Sequence, residues 1–389
     1  MSISIKLREQ MASSSLVTGM FEKVGAREIY DFTLGNPEIE PPAEFTEELN
    51  RIVNSPFSGM HRYSSLAGYS ETRKAIAKTL SKEHGASFNE QHVIMTAGCA
   101  GALNVALKAL LDPGDEVIIL APSYMEYPYY IDNHGGVCRV AETNLDFTIN
   151  IDNIASNMNP STKAIILNSP NNPTGEIYSE RTLKLVAELL YEKSYEYGKD
   201  IFLIFDEAYR DIVYDGIKLP DIFRIYSNTI ITAAYSKPLS IPGERIGYAA
   251  VNPGMKDSSD IMEAMTFANR ILGFINAPVL MQRVIANLQD VRVDIAEYQE
   301  RRDFFCDALD DMGYSFIRPK GTYYIFPESP AGDLEFVREL SREGILVFPG
   351  TLFGRGGYFR IAFCVKWETI KRSLDGFGKV RNFLERKDV

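Results

Sequence analysis

Lys237 lies in Ala-Ala-Tyr-Ser-Lys-Pro-Leu-Ser-Ile-Pro-Gly-Glu-Arg-Ile-Gly-Tyr, residues 233–248, framed by Ser236, Gly243, Arg245 and Gly247. Its amine is both a nucleophile and a proton carrier when it is not simply a solvated surface charge, as most lysines are. Thr96-Ala-Gly-Cys-Ala-Gly-Ala-Leu103 joins an apolar run to a helical pattern. Small residues such as Gly98 and Cys99 there let backbone N–H groups and a helix N-terminus approach an anion, although such turns are common. Arg245 adds a fork of donors suited to a phosphate. Leu203-Ile-Phe-Asp-Glu-Ala-Tyr-Arg210 ends an apolar run in a carboxylate, Asp206, with Tyr209 three residues on. That carboxylate could be a metal ligand or a solvated loop residue. Asn168-Ser-Pro-Asn-Asn-Pro-Thr-Gly175 is a tight turn by composition, yet it follows a strand, where open α/β sheets place ligands. In Phe359-Arg-Ile-Ala-Phe363, Arg360 starts an apolar strand and could be an ordinary edge charge.

The elements that must position these residues alternate. His92–Gly98, Glu116–Pro122, Gly136–Thr143, Lys163–Pro170, Ile201–Tyr209, Thr229–Lys237 and Arg245–Val251 read as strands. Several are almost wholly apolar, as strands covered on both faces are. Ala100–Leu111, Tyr124–Asn133 and Ser179–Tyr197 read as helices, so the pattern predicts an α/β domain with a mostly parallel sheet of seven strands flanked by helices. The last two strands follow each other too closely for a helix, which predicts one reversed strand. Residues 254–312 read as largely helical, with Ile285–Met312 as one long helix bridging two domains. Beyond it, strands Tyr314–Arg318, Thr322–Pro327, Ile345–Pro349 and Tyr358–Val365 with helices Asp333–Glu343 and Trp367–Arg386 predict a smaller α+β domain. The expected division is an N-terminal segment 1–50 packing with the small domain, a large domain 51–285 and a small domain 286–389.

With 389 residues the chain can bury a large core, and its 45% hydrophobic and 24% charged content is that of a globular protein. A formal net charge of −11 argues against nucleic acid and anionic membranes as partners. No apolar run resembles a membrane span, and the first ten residues lack the apolar core of a secretory signal, so a cytoplasmic location is expected. The four cysteines form no CxxC and read as reduced; the four histidines show no metal-ligand spacing, so no metal is expected.

Taken in order, these motifs resemble those of the class I/II aminotransferases, pyridoxal 5′-phosphate (PLP) enzymes of fold type I, over about Phe32 to Phe363. Within that family the similarity is to bacterial aspartate aminotransferase-like proteins. The resemblance implies that Lys237 holds PLP as an imine, releases it to the substrate and then moves the α-proton. It implies that Asp206 keeps the pyridine nitrogen protonated, the electron sink of the reaction. Asn172 and Tyr209 would donate to the phenolic oxygen, and Tyr124, in Pro-Ser-Tyr, would stack on the ring. Gly98, Cys99, Ser236 and Arg245 would hold the phosphate, joined by Tyr63 from a neighbouring subunit. Arg360, Asn172 and the backbone at Gly35, in Leu34-Gly-Asn-Pro37, would hold the substrate α-carboxylate. The implied reaction is a ping-pong exchange, through aldimine and ketimine, between an L-amino acid, aspartate or glutamate by preference, and a 2-oxo acid, in a homodimer with shared sites.

Two positions depart from the pattern. Ala234 replaces a serine that often adds a phosphate bond, and Ala100 replaces a lysine that some relatives use for a distal carboxylate. A dicarboxylic substrate would then need another cation; Arg270, in Asn-Arg-Ile-Leu-Gly-Phe-Ile-Asn-Ala-Pro, is the first candidate and Arg355 the second. A C–S lyase or decarboxylase would use the same residues, and a non-catalytic PLP-binding regulator is the answer from a different class. The chain has no room for a helix-turn-helix domain before its pattern starts, which disfavours the regulator.

Overall fold

A computed structural model describes residues 3–8, 10–11 and 28–385. Part of the expected N-terminal segment, residues 12–27, and Arg386 of the last expected helix lie outside the described residues. The strands are β1 (Tyr30–Asp31), β2 (Val93–Thr96), β3 (Glu116–Ala121), β4 (Val137–Glu142), β5 (Thr162–Asn168), β6 (Phe202–Asp206), β7 (Thr229–Ala234), β8 (Gly247–Val251), β9 (Tyr324–Ile325), β10 (Ile345–Leu346), β11 (Phe348–Pro349) and β12 (Phe359–Ala362).

Seven of these form one sheet in the order β2-β8-β7-β6-β5-β3-β4. β8 runs antiparallel to both its neighbours, and the other pairings are parallel. Strands β2, β3, β6 and β7 are buried at every residue, because helices cover both faces. One face packs Leu103, Ala106 and Leu107 of helix Gly98–Leu110, with Met262 and Met265 of helix Ser258–Ile271. The other packs Leu183, Val186 and Leu190 of helix Glu180–Tyr197, which starts at a Ser179 side-chain cap and ends at left-handed Gly198.

A second core gathers Phe32 with residues between Val293 and Leu384, around the antiparallel sheet β11-β12-β9. β1 pairs with β10 in parallel, Tyr30 opposite Ile345, which ties the residues before Gly35 to this core. Phe45 and Ile52 of helix Ala43–Val53 pack in the core that also holds Leu183, Val186 and Leu190.

Two expectations are corrected. Ile285–Met312 is not one helix: Val279–Ile285 and Ile295–Asp311 are separate, and the Asp294 side chain accepts the Ala296 N–H to start the second. Apolar spacing continues through Leu288, Val291 and Val293, but the Asp294 cap sets a new helix start within it. Tyr314–Arg318 forms no strand. It is held by side-chain contacts instead of a ladder: the Tyr314 hydroxyl donates to the Phe377 carbonyl and Arg318 to Asp303.

Candidate active site

The register of the parallel strands assembles the site. Asn168 ends β5 opposite Asp206, and Asp206 ends β6 opposite Thr232 of β7, just before Ser236 and Lys237. Asn168 ties its loop down: its amide donates to the Asp206 carbonyl at 3.0 Å and accepts the Asn172 N–H at 2.7 Å. Asn171 closes the turn by accepting both the N–H and hydroxyl of Thr174. The Asn-Pro-Gly composition of this loop is thus spent on a fixed turn at the carboxyl edge of the sheet.

Above that edge is a cavity of about 330 Å³. Gly35, Cys99, Tyr124, Asn172, Asp206, Tyr209, Ser236, Lys237, Arg245 and Arg360 all line it. The Lys237 ammonium donates to the Gly35 carbonyl at 2.8 Å, and the rings of Tyr209 and Tyr323 lie 5.8 and 5.5 Å from it. Burial lowers its pKa to about 8, and the positive charges of Arg245 and Arg360 act in the same direction. A lysine in this range is available as a neutral amine near neutral pH.

Asp206 is 4% exposed and carries three donors: Tyr127 Oη at 2.6 Å, the Ala208 N–H at 3.0 Å and Cys99 Sγ at 3.3 Å. Burial raises its carboxyl pKa, and these bonds pull it down. Tyr127, the first residue of helix Tyr127–Asn133, was not singled out in the sequence. The only sequence signal was its place three residues after Tyr124.

Arg360 is 3% exposed. Its guanidinium donates to Asn172 Oδ1 at 3.0 Å and to the Thr33 carbonyl, and it lies 4.3 Å over the Tyr324 ring. Its Nε is buried with no partner among the described residues. Tyr209 bonds the Tyr324 hydroxyl at 2.8 Å, so Tyr324 joins both residues and is a second one missed in the sequence. Gly35 cannot carry a side chain, because a Cβ there would stand 2.0 Å from the Tyr324 hydroxyl.

Helix Gly98–Leu110 opens without a side-chain cap, which leaves its first N–H groups for another acceptor. Gly98 has φ +71°, and a Cβ on it would meet an Arg245 nitrogen at 2.8 Å. A Cβ on Gly247 would lie 2.8 Å from the Gly98 backbone, so the glycine after Arg245 is what lets β8 bring that arginine to the helix start. An uncapped helix N-terminus, an arginine, a lysine and a buried carboxylate around one cavity suit an anionic ligand that also carries a cationic ring or amine.

Gly98 adjoins the cavity through Cys99 and Arg245 without lining it, and Tyr63 and Arg270 stand outside it. Tyr63 is 83% exposed. Arg270 is exposed, its guanidinium 4.8 Å over the ring of Phe267. Arg355 is paired with Glu142 at 3.0 Å and does not line the cavity either.

Residues 27–377 match the family model for aminotransferase class I and II. The chain is 30% identical over 357 residues to the aspartate/prephenate aminotransferase of Thermus thermophilus, covering 90% of each. It is 28% identical over 369 residues to the aspartate aminotransferase of Thermotoga maritima, covering 92% of each. Among solved structures, an amino transferase from Eubacterium rectale superposes with a TM-score of 0.90 at 37% identity, covering 98% of this chain and 96% of that one.

Proposed function

The chain belongs to the class I and II aminotransferases, and we propose that it exchanges an amino group between an L-amino acid and a 2-oxo acid with pyridoxal 5′-phosphate held in the 330 Å³ cavity. The observation that carries this reading is one cavity that brings the Lys237 amine together with Arg245, Arg360 and the buried carboxylate at the end of β6. The residues present fit the cofactor. The uncapped helix start at Gly98 and Cys99, with Ser236 and Arg245, would take the phosphate. Tyr124 would cover the ring, Asp206 would pair with its nitrogen, and Asn172 and Tyr209 would bond its phenolic oxygen. Bound PLP supplies the electron sink that makes loss of the substrate α-proton possible.

The chain's own residues do the rest. Arg360, already stacked on Tyr324 and short of a partner at Nε, binds the substrate α-carboxylate beside Asn172 and the Gly35 backbone. Lys237 would hold the cofactor and, once released, would act as the base that takes the substrate α-proton and the acid that gives it back two atoms away, across the bridging nitrogen. Its lowered basicity keeps a neutral fraction present near pH 7. Tyr127 and the Ala208 N–H fix the Asp206 carboxylate in place before any ligand arrives.

We favour aspartate or glutamate as one substrate, as the names of the Thermus and Thermotoga relatives suggest. Ala100 leaves no lysine in the phosphate loop, so we assign the distal carboxylate to Arg270. Because Arg270 stands outside the cavity of its own chain, that role goes with a homodimer in which each subunit lends Arg270 and Tyr63 to the other. The four free cysteines are in keeping with a cytoplasmic location. The test is a half-reaction screen: the PLP-loaded protein is mixed with each amino acid and its absorbance is followed to the pyridoxamine form. Arg270→Ala should then depress conversion of aspartate and glutamate about a hundredfold more than that of alanine, the worth of a bidentate carboxylate clamp. An equal drop for all donors would remove Arg270 from the site.

A further inference from the structure

Glu126 is a carboxylate in the cavity wall that the reaction above does not use. It lies two residues after Tyr124, half-buried, in the same cavity as Lys237, Asn172 and Arg360. The other acids of this region are engaged. Asp206 takes Tyr127, Glu207 takes Arg210 at 2.9 Å, and Glu142 takes Arg355 at 3.0 Å. The Glu126 backbone carbonyl accepts the Tyr130 N–H, but among the described residues its carboxylate has no ion pair and no hydrogen bond. Burial raises its carboxyl pKa and no neighbouring cation offsets this. The phenols of Tyr124 and Tyr130 feel its charge. Leu34, Ala100, Leu103 and Met125 contribute apolar or small surface to the same cavity, as an aliphatic side chain would need.

A half-buried carboxylate without a partner costs free energy that an incoming cation can offset. An aminotransferase of this kind accepts two substrates in turn at one site, so the two need not share a side-chain type. We propose that Glu126 receives the ammonium group of a basic side chain, and that the enzyme exchanges amino groups between a dicarboxylate and an amino acid with a cationic side chain. In the net reaction the α-amino group of one partner is exchanged for the carbonyl oxygen of the other, with no outside oxidant or reductant. The inference rests on the aminotransferase reading of the cavity. It also fits the need for a distant arginine, because Glu126 repels a distal carboxylate and would turn it toward another cation.

The test uses the PLP-loaded protein in single-turnover absorbance assays with L-ornithine, L-lysine, L-norleucine, L-aspartate and L-glutamate. Binding of α-methylornithine, which has no α-hydrogen to lose, is titrated alongside that of α-methylnorvaline. The expected result is a preference of about tenfold or more for the basic donors over norleucine, the scale of a partly solvated charge pair. Glu126→Gln should lower the ornithine-to-norleucine ratio about tenfold and weaken α-methylornithine relative to α-methylnorvaline by a similar factor. Glu126→Ala should do the same, and thermal melts of both variants report their folding. Norleucine equal to or better than both basic donors in the parent protein would overturn the proposal without any variant. So would a loss in Glu126→Gln that is the same for every donor. Conversion of aspartate or glutamate with no basic preference would sink this inference alone. Conversion of no amino acid of any kind would remove the aminotransferase reading and the inference with it.

Discussion

Replacing Lys237 by methionine should stabilise the cofactor-free protein at neutral pH while abolishing its activity. Burial moves the lysine from 10.5 to about 8, and at 1.36 kcal/mol per tenfold change that is about 3 kcal/mol held against folding by the charged form. Methionine removes the charge and keeps the length. It also gives up the bond to the Gly35 carbonyl, worth about 1 kcal/mol, although that oxygen still accepts from Tyr323. The net gain should be about 2 kcal/mol at pH 7. Below the folded value both states carry the charge and the penalty is complete; above 10.5 both are neutral and it is gone. The advantage of Lys237→Met should therefore fade between pH 8 and pH 10.5. Urea unfolding of both cofactor-free proteins across pH 6–10.5 reads this directly. Equal stability at pH 7, or a difference that does not change with pH, would refute the claim that a buried, weakened amine waits in this cavity.

Asp206→Ala should cost on the order of a thousandfold in single-turnover rate, because it leaves a cationic ring without its counter-charge. Tyr127→Phe, which removes one bond to a charged group, should cost about ten- to a hundredfold, and Tyr209→Phe about tenfold, since Asn172 remains. Comparable losses for Asp206→Ala and Tyr209→Phe would contradict this ranking. Mixing Tyr63→Phe with Lys237→Ala protomers should restore activity, because each mixed dimer contains one site with both native residues. Absence of any recovery, or full activity in a strict monomer, would contradict the shared site.

The large sheet was legible because its strands are buried on both faces and so read as apolar runs with turn residues between them. All seven are present, β8 reversed as the short connection after β7 requires. Strand-end chemistry was legible for the same reason: Asp206 and Asn168 each close an apolar run. What escaped depends on tertiary approach. Tyr127 reaches Asp206 across 79 residues and Tyr324 reaches Tyr209 across 115, distances over which a local pattern carries no signal. The helix break before Ile295 escaped because apolar spacing continues through it while the Asp294 cap decides the start. Glu126 belongs to no motif, and only the cavity wall that it shares with Tyr124 marks it out.

The central claim is that Lys237 is the amine that carries the cofactor. Borohydride reduction of the PLP-loaded protein, followed by peptide mapping, tests it most directly. The account predicts a single pyridoxyl group on the peptide containing Ser236-Lys237-Pro238, and none in Lys237→Met. A label on any other lysine, or persistence of the label in Lys237→Met, would contradict it.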